Sequence, residues 1–584
     1  MSTLRSLTLG AGLALAAGAV YLLYPPAAGS AVPKADAPTP FELAPPVVED
    51  IVITPTPQSS AGDAVLQLQY AKGQDLPAQI PFNIGDRPVT LQRDDKVPEI
   101  YRAAIPFDFD GFVQEQAERQ SQAGQQLTVP SFVGREFFSE APVAFLDPGK
   151  LRDQIAAAQP IRVPFPVVFG PPAVVRPERS LLITDPRVVE DPTRTFDACT
   201  GVGNPNGAWT FKTLMTNMAN QPVSGISPSA FVKNWLTNWS AGGVINTFPV
   251  PARAQLNSQI LALWPTVAST GELDLNKSPF RLVAIVNRMD LRSNGSYGGG
   301  DAGEGRFIFG MIRRNANGTC TALPGLVITE YAQQARGCSA VRSLARRWGA
   351  LGSMSLGSPA YNSALQALTD GFTAANAAPS KPNRSAINQV RSNEFLQTPW
   401  MLEEFRLPRG GGQLAMTLAK LTPHHSLNNT SVLASFINTN AAAIGAGTYD
   451  IPLSYLGQPM ATGSVRNISP QQAWNAPGVA SNLRRDFSLN TCDACHGRET
   501  QDTNFMHVST RNSGAQAALS RFLVGNGTLA APSTFTMPDP FTAAPRTYGD
   551  LVRRQSDLAG LQNNLCLSGA VFEEAIRAPL LATH

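Results

Sequence analysis

Residues 492–496 read Cys-Asp-Ala-Cys-His, and no other stretch of the chain restricts its folding as tightly. At this spacing two sulfurs can each form a thioether with a vinyl group of one haem, and the adjoining imidazole can meet the iron. A segment that does this must border a cavity lined with apolar side chains. The flanking sequence offers Phe487, Leu489, Phe505, Leu519, Phe522 and Leu551 for that lining. Cys492 and Cys495 are therefore the expected anchors, and His496 the expected proximal iron ligand, of one covalently held haem c.

Two other readings of the pair are weaker. A redox-active Cys-x-x-Cys disulfide belongs in a thioredoxin-like βαβ context, which the flanking sequence lacks. A zinc site needs four ligands, and too few Cys and His cluster here to supply them.

The sixth iron position has three candidates. His507 lies eleven residues beyond His496 and becomes the distal ligand if the chain folds back over the haem. Met537, followed by Pro538, is its rival, and an open position is the third case. The choice sets the chemistry, since methionine raises the potential relative to paired histidines and an open site admits small oxidants.

The N-terminus bears on the compartment. One positive charge, Arg5, precedes an uncharged run rich in Ala, Leu and Gly over residues 7–24. This has the form of a secretory signal, with Gly29-Ser30-Ala31 as the cleavage site, or of an uncleaved membrane anchor. Both place the remainder outside the cytoplasm, in the periplasm or beyond. Four cysteines remain after the haem pair: Cys199, Cys320, Cys338 and Cys566. Exported thiols tend to pair, and Cys320 with Cys338 closes the shortest loop, leaving Cys199 with Cys566. The net charge of +3, with no basic block, gives nucleic acid no electrostatic footprint.

Pattern divides the 584 residues into segments. Residues 1–31 form the signal or anchor, and 32–62 a Pro/Ala-rich spacer. Residues 63–185 read as a β-rich, sandwich-like domain, with apolar and polar residues alternating over 64–70. Helices are expected there at 112–119 and 148–158. Residues 186–477 mix helices and strands. Ser227 and Pro228 start a helix whose stripe is Phe231, Trp235, Leu236 and Trp239, and strands are expected at 280–286, 306–312 and 326–329. Residues 478–584 read as a separate, mainly α, cytochrome c-like unit with helices at 516–524 and 548–562. The whole is an α+β multidomain chain.

Other constellations carry less. Asp108-Phe109-Asp110-Gly111 lacks the later ligands of an EF-hand and reads as a turn. The glycine run 298–303 leads into a strand, which argues against a dinucleotide turn. His424-His425 reads as an exposed loop. Asn287, Arg288 and Asp290, with Glu304 and Arg306, form either a polar cleft or, on the simpler reading, a buried ion-pair network.

The motif resembles that of c-type cytochromes. Cys-x-x-Cys-His-Gly over 492–497, followed by Phe505-Met506-His507, is also similar to a haem domain of bacterial di-haem peroxidases, which carry two such motifs where this chain has one. Over most of its length the chain resembles exported proteins of Gram-negative bacteria with no assigned activity. Asp197-Ala198-Cys199-Thr200-Gly201, Pro279-Phe280-Arg281, Gly303-Glu304-Gly305-Arg306-Phe307 and Phe487-Ser488-Leu489-Asn490-Thr491 carry that likeness. Together they imply an exported mono-haem protein that passes electrons to a partner protein or performs a haem-linked redox step. The other class is a binding or structural envelope module whose motif is stabilising or redox-sensing.

Overall fold

The computed structural model describes residues 48–106 with short gaps, 109, 113, 117, 146–162, and 174–563 apart from 293–301, 316, 446–448 and 470. The expected signal or anchor, most of the turn at 108–111, of the helix at 112–119 and of the glycine run, Cys566 and the side chain of Cys338 lie outside those residues; the described positions 113 and 117 of that helix are helical. The fold is α+β, built from antiparallel sheets and helices. It divides into two compact units: one mainly of residues 1–173, the other of residues 174–336 and 344–559 with the last few residues of the chain.

In the first unit, alternation along Asp63–Tyr70 buries Ala64, Leu66, Leu68 and Tyr70 on one face. This strand lies inside one six-stranded antiparallel sheet. The described strands of this unit form that one sheet, and the second layer of a sandwich is not among them. The spacer also ends earlier than expected. Val48–Pro55 is a strand that pairs with Asp63–Tyr70 and buries Ile53 completely. A helix at Pro148–Ala156 starts where the Asp147 carboxylate accepts from the Lys150 amide at 2.9 Å.

The second unit is organised by an eight-stranded antiparallel sheet. Its strands run, in spatial order, Ala415–Thr417, Met401–Arg406, Ile387–Glu394, Cys320–Ala332, Glu304–Arg314, Phe280–Arg288 and Leu182–Ile183, with Ser464–Arg466 also pairing with Met401–Arg406. Helix Pro228–Ala241 packs with the sheet's aromatic side chains. Its N-cap Ser227 accepts from the Ala230 amide at 3.2 Å, and Phe231, Trp235, Leu236 and Trp239 are fully buried. Trp235 stands edge-on to Phe405 with ring centroids 5.9 Å apart, and Phe211 stacks on Phe280 at 4.4 Å. Each such side chain contributes about 1.5–3 kcal/mol through burial.

Pairing register places charges opposite one another elsewhere on the sheet. Arg306 stands across from Glu330, and Arg391 across from Glu404. One row further along, Ile308 faces Ile328. The sheet thus carries a charged band beside an apolar one.

The expected boundary near residue 478 is not a boundary between compact units, since residues up to 559 belong with the sheet. Nor are the described residues of the segment beyond it, up to 563, mainly helical. A hairpin of Phe535–Pro538 and Pro545–Tyr548 stands between the short helix Arg521–Val524 and the helix Asp550–Asn563. A helix at Ser481–Leu489, not expected from the sequence, leads into the motif.

The disulfide is also corrected. Cys199 bonds to Cys320, with Cα atoms 6.0 Å apart. Arg314, the cross-strand partner of Cys320, donates to the Ala198 carbonyl and so holds the two ends together.

Candidate functional site

The motif forms one short helical turn, Cys492–Cys495. Buried contacts fix its approach. The Arg484 guanidinium, on the preceding helix, donates to Glu499 at 2.8 Å, to the Trp474 carbonyl at 2.9 Å and to Asp539 at 3.0 Å. The helix before the motif, the stretch after it and the hairpin are thereby tied to one cation. The Cys492 amide donates to Thr422 Oγ1 at 2.9 Å, and Trp474 Nε1 donates to the Asp493 carboxyl at 2.8 Å. Gly497 completes the turn where a Cβ would lie 2.6 Å from the Asp493 carbonyl and 2.7 Å from that of Gln472.

Cys492 packs with Trp400, Leu402, Ala419, Val465 and Phe505. Neither cysteine of the motif is disulfide-bonded. Burial pushes the Cys492 thiol up to about 12 and holds that of Cys495 well above the usual range. A redox-active Cys-x-x-Cys pair works through a thiolate whose pKa is lowered, so these thiols are poorly suited to disulfide exchange.

His496 is oriented by its backbone surroundings. Its Nδ1–H donates to the Phe505 carbonyl at 3.0 Å. Asn393 Nδ2 donates to the same carbonyl at 2.8 Å, and Trp400 Nε1 donates to Asn393 Oδ1 at 2.8 Å. Phe505 has a left-handed backbone, φ +57°, which a bulky residue adopts only when its surroundings hold it there. Here its ring lies tilted by 31° against that of Trp400, with centroids 4.7 Å apart. Burial and the neighbouring His507 lower the His496 pKa to about 3. The ring is neutral at pH 7, as a metal ligand must be.

His507 joins the same group from the loop after the motif. Its Nδ1 lies 3.1 Å from Asp502 Oδ2 and 2.9 Å from Ser520 Oγ, and its Nε2 lies 3.5 Å from Cys495 Sγ. Ring centroids of His496 and His507 are 4.4 Å apart. Imidazoles that flank a porphyrin iron at about 2 Å each stand more than about 6 Å apart by centroid. As placed, His507 stands beside His496 and not across a porphyrin from it. Met537 is on the hairpin opposite Arg546, away from the cavity wall. Asp502 joins the two histidines in a group whose ligand atoms lie within 4.8 Å of one another.

Cys495, His496 and His507 all line one cavity, which with its mouth holds about 700 Å³ outside the protein's atoms. Most of that is open mouth, and the enclosed cavity is about 70 Å³, below the range of about 300–1,000 Å³ usual for small-molecule and cofactor sites. Leu182, Val286, Ile308, Leu326, Ile328 and Leu402 from the sheet, with Val508, Phe522 and Leu523, make the wall largely apolar. Of the apolar residues expected around the motif, Phe522 reaches this wall and Phe505 backs His496, whereas Phe487 packs with Trp474 in a neighbouring core.

The remaining wall is charged, with Arg288, Arg306, Arg391 and Arg554 bordering the cavity beside Glu330. The polar group read around Asn287 and Glu304 is therefore both an ion-pair network and part of this cavity. Arg288 pairs with Asp290 at 2.9 Å and Arg306 with Glu304 at 2.7 Å. Burial and the nearby Glu330 charge raise the Glu304 pKa; at Glu330 burial acts the same way, but Arg306 and Arg391 outweigh it and lower the value. His424 and His425 lie apart from the cavity, the first stacked on Phe248 at 3.7 Å and the second bonded to Arg466.

The residue types are those that hold a haem c, but only one thiol of the pair, Cys495, stands with the neutral His496 imidazole at the cavity. Cys492 is packed against Trp400 and Phe505 instead, and the enclosed space of about 70 Å³ is smaller than a porphyrin. Sequence reasoning missed Asn393, Trp400, Arg391 and the strands that carry them. The sequence matches no family model, and no curated protein and no solved structure is significantly similar to it.

Proposed function

We propose that the chain is an exported mono-haem c-type protein that transfers electrons, or performs a haem-linked redox step, in the cell envelope. The observation that carries this is His496: its Nδ1–H is held by the Phe505 carbonyl while its ring and Cys495 face an apolar cavity. That bond assigns the proton to Nδ1 and leaves Nε2 as the basic nitrogen of the tautomer, the arrangement used by metal-bound histidines. When bound, the haem supplies a one-electron redox couple.

This chain's residues do the rest. Cys492 and Cys495 anchor the group, His496 ligates it, and Asn393 and Trp400 keep the imidazole from rotating. Leu182, Ile308, Leu326 and Ile328 exclude water from its face. In this reading the haem is held between a C-terminal segment and a large antiparallel sheet, and not inside a small helical cytochrome unit. The Cys199–Cys320 disulfide suits an oxidising compartment, and the run over 7–24 serves as export signal or anchor. The electron partner is a protein that meets the cavity mouth.

A second reading comes from the proximity of His496, Asp502 and His507. Two imidazoles and a carboxylate suit a single divalent transition-metal ion. One experiment separates the two. The full chain is produced in a host with cytochrome c maturation and run on a denaturing gel stained for haem, with iron and zinc measured on the native protein. Haem that stays with the denatured chain supports the first reading. Stoichiometric metal without haem supports the second, and the absence of both favours a binding or structural envelope module.

A further inference from the structure

The group of His496, Asp502 and His507 has a feature that an ordinary hydrogen-bonded cluster lacks. Asp502 is 6 % exposed. Its Oδ1 accepts from the Asn504 amide at 3.3 Å, whereas its Oδ2 is buried without a hydrogen bond. A carboxylate oxygen in that state is costly unless a cation meets it. His507 Nδ1 stands 3.1 Å from it, out of line for a hydrogen bond. Two donors on one ion, each at about 2.1 Å and about 95° apart, are about 3.1 Å from one another. The pair therefore has the spacing of neighbouring ligands.

Both rings are set for the same ion. The Phe505 carbonyl holds the His496 proton on Nδ1 and leaves Nε2 as the donor nitrogen. His507 Nε2 lies 3.5 Å from Cys495 Sγ, so a proton on Nε2 has an acceptor there and Nδ1 becomes the ligating nitrogen. Ser520 Oγ, 2.9 Å from that nitrogen, adds a neutral oxygen at the edge of the group. The ligand atoms of the three residues lie within 4.8 Å of one another. Two imidazoles that share one ion place their centroids about 5 Å apart, and here they are 4.4 Å apart. Side-chain shifts of about 1 Å close the set. Both histidines line the cavity, and Asp502 does not. The carboxylate thus stands behind the ion, and the enclosed space of about 70 Å³ lies in front of it. That space suits about two waters, at about 30 Å³ each.

We infer that His496 Nε2, His507 Nδ1 and Asp502 Oδ2 hold one divalent transition-metal ion whose remaining coordination positions open on the enclosed cavity, where water or a small monodentate ligand binds. This rests on the metal reading of the site and adds to it a face for ligand exchange. Three protein donors and a solvent position distinguish catalytic from structural zinc sites, and two imidazoles with one carboxylate are also the donor set of non-haem iron(II) centres. Leu182, Ile308, Ile328 and Phe522 border the cavity and limit the exchanging ligand to a few atoms.

The test uses the full chain, produced without haem maturation and stripped with a chelator, and two probes, cobalt(II) and azide. Cobalt(II) is expected to bind one per chain, with visible d–d bands and no thiolate charge-transfer band. Azide should then shift those bands saturably. Asp502→Asn and, separately, His507→Ala should each weaken cobalt binding about tenfold or more. Thermal melts identify a variant that has failed to fold, and His507→Gln then replaces His507→Ala. Cobalt bound one per chain with bands that azide does not move overturns the exchange face and keeps the metal reading. Failure to bind cobalt removes both. Unchanged affinity in folded variants, or a thiolate charge-transfer band that puts Cys495 among the ligands, overturns the ligand set.

Discussion

Asn393 Nδ2 and the Phe505 carbonyl are 2.8 Å apart, and that bond decides which way the motif's imidazole points. The same carbonyl accepts from His496 Nδ1 at 3.0 Å. A strand of the large sheet thereby orients a ring on the C-terminal segment. The haem-binding motif is local in sequence, but its geometry is set by residues about a hundred positions away.

Asn393→Leu should therefore cost stability and disturb the site. The change leaves Trp400 Nε1 buried without the Asn393 acceptor and takes one donor from the Phe505 carbonyl. A loss of about 1–3 kcal/mol is expected from urea denaturation. Trp400→Phe removes a single hydrogen bond and should cost less, about 1 kcal/mol beyond the change in packing.

Acid should destabilise the hairpin side of the site through Asp539. Burial acts to raise its pKa, but the Phe541 amide, Arg484 and the Thr542 amide outweigh this and hold it at about 2. A carboxylate lowered on folding contributes stability above its unfolded pKa, about 3.9, and loses that contribution as pH falls toward its folded value. Stability should drop between about pH 4 and pH 2, and Asp539→Asn should flatten that part of the curve. Arg484→Met, which strands Glu499 in the interior while Asp539 keeps Arg546 at 3.1 Å, should cost about 3–5 kcal/mol at pH 7.

The disulfide gives a chemical check. Digestion without reductant should release a peptide pair joining Cys199 to Cys320 and none joining Cys320 to Cys338. Reduction should lower stability by about 2–5 kcal/mol, because the bond closes a loop of 121 residues.

How much the sequence reveals depends on where charge is buried. The strand over 63–70 and the helix at Pro228–Ala241 follow the usual rule that polar residues face water, and both are legible. Ile387–Glu394 breaks that rule. Asn388, Gln389, Arg391, Asn393 and Glu394 are all buried, so the strand reads as a polar loop until its partners Glu330 and Glu404 are known. The helix before the motif is obscured for the same reason, since Arg484 belongs to its interior face. The motif itself needs no tertiary context to be recognised. The position of His507 does, because Asp502 and Ser520 turn its ring and spacing cannot show that. The shortest-loop rule for cysteines fails because Cys320 stands across from Arg314, whose guanidinium reaches the Ala198 carbonyl beside Cys199.

His507 yields a spectroscopic prediction. If His507 keeps its contacts with Asp502 and Ser520 beside His496 when a haem is bound, His507→Ala should leave the spin state of the haem-loaded chain unchanged. Visible and electron paramagnetic resonance spectra report this directly. A shift to high spin in the variant would show that the ring swings across the haem when the cavity is filled.

The most direct measurement is a pyridine haemochrome spectrum of the full chain matured in a cytochrome c-competent host, taken after acid–acetone extraction of free haem. The account predicts haem that resists extraction, with the band position of two thioether bonds. Cys492→Ala and Cys495→Ala should each shift that band toward the single-thioether position. A chain that yields no covalent haem, or whose haem is extracted completely, would contradict it.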